Sequence, residues 1–309
     1  MQRVIGIGET VLDIIFQNDQ PIRAVAGGST FNCLVSLGRC GVPVTLISET
    51  GNDRVGRNIL RFAQENGIDT TAVNVYPDSK SPLSLAFLNE ASDADYLFYK
   101  DHPRDRLDFN YPEISKDDIV VFGSYYAVNP VIRPQVHGFL DYARSRGAIL
   151  YYDVNFRASH RDEVVRLTSI ILENLELADI VRGSTEDFEV MFRKTDADAV
   201  YRSQISFYTK KFICTDGSRP VAVRDEGFSK QYPVAPASAV VSTIGAGDNF
   251  NAGFIYGLVH DGITRHHVDR GLSEAQWDSL IASAMRFSAN VCQSLDNYVD
   301  SAFAEGIKK

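Results

Sequence analysis

The chain has 309 residues, 44% of them apolar and 23% charged, the make-up of a globular protein long enough to bury a sizeable core. Its 31 basic and 40 acidic residues leave a formal charge of −9, which opposes sequence-independent binding to nucleic acid or to an anionic membrane, so neither partner is expected. No run approaches the roughly 20 apolar residues of a membrane-spanning helix, and MQRVIGIGETVLDIIF lacks the apolar core of a signal peptide, so a cytoplasmic protein is expected.

In chain order, short β-rich runs alternate with longer amphipathic stretches, the pattern of an α/β fold on a mostly parallel sheet. Strands are expected at Val4 to Ile7, Val44 to Ile47, Ile119 to Phe122, Ala148 to Tyr152, Asp179 to Val181, Lys211 to Cys214 and Val221 to Val223. Most are apolar enough to be covered on both faces. Helices are expected at Arg54 to Asn66, ending at Gly67, at Pro134 to Arg146, ending at Gly147, and at Arg161 to Leu177. Two stretches break the rhythm. Residues 10–26, and 73–100 with VNVY, LSLAFL and YLFYK in succession, read as strands of a small β appendage with turns at Pro77-Asp78-Ser79 and Asn89 to Asp93. A lid formed from about 10–26 and 73–105 on a single 1–309 domain is expected, with a plain sheet extension as the alternative. Cys33, Cys40, Cys214 and Cys292 are scattered without metal-ligand or CxxC spacing, and read as buried thiols.

The chemistry concentrates in AVVSTIGAGDNFNAGFIYGLV, residues 239–259, where a β run meets a Gly-Ala-Gly turn and then a helix. Gly245 and Gly247 let backbone amides approach a ligand, and the helix adds its N-terminal partial charge. Asp248 at that point either caps the helix or serves as general base to a hydroxyl. Near the N-terminus, Asp13 follows the first strand, and AGGSTFN sets Gly27, Gly28 and Asn32 at a helix entry, a set suited to a polyhydroxylated ligand. Taken singly, each also fits a turn or a solvated carboxylate. His266 and His267 are adjacent, with no cluster beside them, and read as a solvated loop.

Five segments in order resemble the ribokinase-like, phosphofructokinase B type, family of carbohydrate kinases: AGGSTFNCLVSLGRCG, SETGNDRVGRNILRFAQENGIDT, DVNFR, CTDGSRPVAV and GAGDNFNAGF. The resemblance spans nearly the whole chain. It implies a central, mostly parallel sheet flanked by helices with a small β lid, and ATP-dependent phosphorylation of a sugar hydroxyl. By this resemblance Asp248 is the base, and the amides of Gly245, Ala246 and Gly247 hold charge on the transferred group. Asp13, Gly27, Gly28 and Asn32 would contact the sugar; Asn155 and Arg157 would face the phosphoryl path, although Arg157 also fits a surface ion pair. Gly183, Glu186, Thr215, Gly217 and Asn290 would lie on the nucleotide side. Mg²⁺ would be held largely by the nucleotide's phosphates and water, with Glu186 the nearest protein group. The stretch Asp93 to Arg106, with Tyr96, Phe98, Tyr99, Arg104 and Arg106, would cover the sugar and offer a cation to an anionic substrate, Arg104 being the candidate contact; a dimer contact through the lid or simple packing is the other reading.

Two departures from the family pattern stand out. Gly183 opens GSTE where an Asn is usual, and Ser242 stands where an Asp commonly helps to hold a monovalent cation, so potassium dependence is not expected. The GETVLD and DVNFR segments look fructokinase-like, which implies a hexose or keto-sugar acceptor, with fructose first. A nucleoside or sugar-acid kinase is the catalytic alternative. A sugar-binding regulatory protein that transfers phosphate poorly is the other.

Overall fold

The computed structural model describes residues 2–88, 94–101, 106–235 and 240–308, without the side chains of residues 88, 94 and 95. The chain opens with β1 (Val4–Ile7), β2 (Val11–Gln17), β3 (Gln20–Gly27) and α1 (Ser29–Arg39). Next come β4 (Val44–Gly51), α2 (Arg54–Glu65), β5 (Ile68–Tyr76), β6 (Leu83–Leu88) and β7 (Ala94–Tyr99). The middle holds β8 (Ile119–Gly123), α3 (Ser124–Val128), α4 (Arg133–Ser145), β9 (Ile149–Asp153), α5 (Val164–Leu177), β10 (Ile180–Ser184), α6 (Thr185–Phe192) and α7 (Ala197–Val200). Then follow β11 (Lys211–Asp216), β12 (Arg219–Asp225), β13 (Phe228–Tyr232), α8 (Ala246–His260), α9 (Arg265–Arg270), α10 (Glu274–Val291) and α11 (Ser301–Ile307).

The expected strands and crossover helices are all present, and local chemistry sets their ends. Asp53 caps α2 by accepting from the Gly56 N–H at 2.8 Å. Past its C-terminus, Gly67 turns with φ 78°. Ser184 and Asp187 form a reciprocal capping box on α6. His266 and His267 lie in the short helix α9 rather than in a loop, because His267 Nδ1 accepts from the Thr264 N–H at 3.1 Å and caps it.

The main sheet is large and mostly parallel and is flanked by helices, with nine strands among the described residues. The chain divides into two compact units, the first made of 1–112, 237–261 and 282–309, the second of 113–236 and 262–281. In the first unit β1, β4 and β5 run parallel, with β4 between the other two, and α1 packs against α8. A separate four-stranded sheet has the order β3-β2-β6-β7, with a small core of Ile15, Val25 and Ala86. VNVY, expected in the appendage, is instead the end of β5. The α2 crossover returns the chain parallel to β4, and Val73 pairs with Ser48 in the main sheet. The Asn89 to Asp93 turn lies outside the described residues. In the second unit β8, β9, β10 and β11 are parallel and β12 and β13 antiparallel. Their apolar faces bury Phe122, Tyr151, Tyr152 and Phe212 completely or nearly so, the two-sided coverage expected of parallel strands. Cys33, Cys40 and Cys214 are buried thiols.

Candidate active site

Within the first unit, the starts of α1 and α8 meet. Gly245 occupies the cap position of α8 in left-handed backbone, φ 77°, so Asp248 falls in the first helical turn and not at the cap position. Its carboxylate is held from α1: Oδ1 accepts from Ser29 Oγ at 2.7 Å and Oδ2 from Asn32 Nδ2 at 2.7 Å. Ser29 and Asn32 are three apart on one helix and therefore share a face. A half-buried carboxylate held on both oxygens by a hydroxyl and an amide stays oriented.

Asp13, on β2, is 6% exposed and lies beside the entry to α1. Ser84 Oγ donates to its Oδ1, and Asn297 Nδ2 to its Oδ2 at 3.0 Å. Gly27 lets that carboxylate approach, since a Cβ there would stand 2.0 Å from Asp13 Oδ2. Gly28 turns into α1 with φ 124°. Asn32 accordingly joins the two carboxylate neighbourhoods, its N–H bonded to Gly28 O at 2.8 Å and its side chain to Asp248. A buried amide frame underlies them. Asn249 Nδ2 donates to Gly245 O and to Asn297 O, both at 2.8 Å, and Ser36 Oγ donates to Asn249 Oδ1. Of the amides expected to form an anion hole, that of Ala246 is turned back to Thr243 O at 3.1 Å.

The second unit carries Asn155, Arg157, Gly183, Glu186, Thr215 and Gly217 of the other predicted group. Asp153 ends β9, and Asn155 follows it in left-handed backbone, φ 35°. Arg157 is exposed. Thr215, at the end of β11, sits beside Ser184 on β10, and Gly217 forms the exposed β11–β12 turn with φ 55°. Glu186 is exposed in the first turn of α6. Gly183 faces the Phe188 ring, and a Cβ would come within 2.5 Å of it. Arg104 lies outside the described residues. Asn290, in the first unit, bonds to Asp300: its Nδ2 donates to Asp300 Oδ2 at 2.7 Å and its Oδ1 accepts from the Asp300 N–H at 3.1 Å. Among the described residues no group of three or more His, Cys, Asp or Glu could hold a metal ion by itself, and no helix is long and apolar enough to cross a membrane.

A model of the pfkB family carbohydrate kinases matches residues 1–294. The chain belongs to this family. A curated 5-dehydro-2-deoxygluconokinase of Geobacillus kaustophilus is 30% identical over 251 residues, 76% of this chain and 73% of that protein. The probable fructokinase-6, chloroplastic, of Arabidopsis thaliana is 25% identical over 94% of this chain and 76% of its own. The crystal structure of a Vibrio cholerae fructokinase double mutant, with fructose, ADP and potassium bound, superposes with a TM-score of 0.85 at 19% identity over 100% and 99% of the two chains. That likeness establishes the shared fold.

For a pfkB kinase, several residues of these two groups carried little sequence signal. Ser29 could have been found, because its spacing from Asn32 puts both on one helical face. Arg182 could have been found as well, being a charge inside the otherwise apolar run of β10. Asn297 could not: it reaches Asp13 from 284 positions away. The buried ion pair of Glu49 with Arg106 was likewise hidden, its side chains 1% and 8% exposed and Tyr76 donating to the same carboxylate at 2.9 Å.

Proposed function

We propose that this pfkB kinase transfers the γ-phosphoryl group of Mg-ATP to a hydroxyl of a neutral keto-hexose, fructose first, with Asp248 as the base that receives the hydroxyl proton. The observation that carries the catalytic part is the anchoring of both Asp248 oxygens by Ser29 and Asn32 at the mouth of α8. Phosphoryl transfer needs positioning and charge stabilisation more than covalent chemistry. A fixed carboxylate beside a helix N-terminus answers both needs. Asp13, Gly27, Gly28 and Asn32 would hold the acceptor's hydroxyls. Arg104 is proposed as a lid contact to the acceptor. Asn155 and Arg157 would serve the phosphoryl path, and Gly183, Glu186, Thr215, Gly217 and Asn290 the nucleotide side. Mg²⁺ would ride on the phosphates and water, with exposed Glu186 its nearest protein group.

The neutral acceptor is supported by charge. Arg23 on β3, and Lys100 and Arg106 after β7, are each matched by a carboxylate: Asp296, Glu9 and Glu49. Cations so neutralised offer little to a sugar acid's carboxylate. A second reading, a keto-sugar acid, is favoured by the 30% identity to a 5-dehydro-2-deoxygluconokinase. Coupled ADP release over fructose, tagatose, 5-dehydro-2-deoxygluconate and adenosine tests both. Turnover of fructose supports the first reading, preference for the acid replaces it with the second, and silence on every acceptor removes the kinase assignment. Potassium is proposed to add little, because neutral Ser242 replaces a carboxylate at the cation-holding position, and K⁺ against matched Na⁺ in the same assay checks it. Edge strand β7 exposes Leu97, Phe98 and Tyr99, which supports pairing of two copies through the lid; sedimentation of a Tyr99→Glu variant tests that.

A further inference from the structure

The buried Arg182 holds two points of the second unit at once. It stands on β10, 6% exposed. Its Nη1 donates to Asp153 Oδ1 at 3.0 Å, and its Nη2 to Thr215 Oγ1 at 2.6 Å. Burial alone would disfavour the charged guanidinium, but the Asp153 carboxylate together with Tyr151 and Asp187 outweighs it and keeps the group above its ordinary value. The cation is therefore permanent.

Hydrogen-bond inventory gives this contact a direction. Arginine has five N–H donors and no acceptor, whereas a threonine hydroxyl has one hydrogen and two lone pairs. Arg182 occupies a lone pair of Thr215, so the threonine hydrogen cannot return to Arg182 and is left to point elsewhere. An oxygen that accepts from a cation also becomes a stronger donor through its own hydrogen. The partner suited to such a donor is an oxygen that only accepts, as a phosphate oxygen does.

Next to Arg182 the chain has Gly183 where the family commonly has an amide side chain. Phe188 explains why none can stand there: its ring lies 2.5 Å from the position a Cβ would take. A polar group is thus excluded at 183, and a cation is buried at 182.

We propose that Arg182 is a positioning residue for the nucleotide: it fixes the Thr215 hydroxyl as a donor to an anionic phosphate oxygen, and through Asp153 it ties that donor to the segment carrying Asn155 and Arg157. The inference rests on the kinase reading of the chain.

The test uses the full chain with Thr215→Val, Thr215→Ser, Arg182→Lys and the Arg182→Lys/Thr215→Val pair. It reads KM for Mg-ATP, KM for the acceptor and calorimetric binding of Mg-ADP. Thr215→Val should raise the Mg-ATP KM about tenfold and leave the acceptor KM unchanged, while Thr215→Ser stays within about twofold of the wild type. Arg182→Lys should weaken the nucleotide alone, by about fivefold, and add nothing in the Thr215→Val background. The inference is overturned by Thr215→Val binding nucleotide as well as Thr215→Ser does, by multiplying effects in the pair, or by equal losses for nucleotide and acceptor. Should Arg182→Lys fail to fold, the comparison of Thr215→Val with Thr215→Ser decides by itself. A wild-type chain that binds no Mg-ADP and turns over no acceptor overturns the kinase reading and this inference with it; a wild type that does both, beside an unaffected Thr215→Val, overturns the inference alone.

Discussion

Asp248 on α8 and Asn32 on α1 meet through a 2.7 Å hydrogen bond although 216 positions separate them in the chain. The amide donates to the carboxylate, so the contact orients Asp248 without neutralising it. Ser29 does the same for the other oxygen, and the two helix starts are thereby locked to one group.

Replacing the proposed base should separate chemistry from folding. Asp248→Asn keeps the shape and should lower kcat by about a thousandfold, with KM for both substrates near the wild-type value. Ser29→Ala and Asn32→Ala should each cost about tenfold, since each removes one orienting bond. Steady-state rates on purified, folded variants check this; a Ser29→Ala enzyme with unchanged kcat would remove that residue from the orienting role.

Gly27→Ala should strike the acceptor side. Its methyl would stand 2.0 Å from Asp13 Oδ2, so Asp13 must give up its place beside Asn297. We expect the acceptor KM to rise about tenfold or more and stability to fall by about 1–3 kcal/mol, as overpacking does. Measurement of both KM values checks it, the nucleotide KM remaining constant.

The pair of Glu49 and Arg106 should behave as a buried ion pair. Arg106→Met strands the Glu49 carboxylate, 2% exposed as a residue, with Tyr76 the one side-chain donor left to it among the described residues. Loss of about 3–5 kcal/mol is expected. Glu49→Gln/Arg106→Met should recover more than half of that, because no stranded charge remains. Denaturant unfolding at neutral pH reads both, and a double variant as unstable as the single would refute the electrostatic account.

Asp53 sets part of the acid limb of stability. Burial raises its carboxyl, but the Gly56 and Ser81 N–H groups and the Ser81 hydroxyl outweigh burial and hold it below the ordinary 3.8. A group depressed in the folded state contributes fully above its unfolded value and loses that contribution as pH falls through the folded one. Asp53→Asn should therefore be less stable than wild type at neutral pH, and the difference should shrink below about pH 4. Urea titrations across that range check it; a gap that is constant with pH would assign the loss to packing.

The fold was legible because periodicity and end signals are local. Gly67 and Gly147 mark helix ends where the structure has them, and the apolar strand runs lie within a few residues of their observed positions. The appendage boundary was misread at VNVY, since a β-rich run does not say which sheet it will join; the α2 crossover decided that. In the site, Asp248, Asp13 and the glycines announced themselves by motif. The groups that hold them did not, because Asn297, Ser84 and Asn249 act through contacts set by tertiary packing. Whether Asp248 stands at the cap of its helix or inside the first turn was likewise open until the backbone of Gly245 placed the cap three residues earlier.

The buried amide frame gives the chain's last turns a duty that the family match, ending at residue 294, leaves out. Asn297 reaches Asp13, and the N–H of Val299 donates to Ser36, which in turn bonds Asn249 beneath the start of α8. Cutting the protein where the recognisable domain stops would leave every motif intact on paper and unseat both carboxylates in solution.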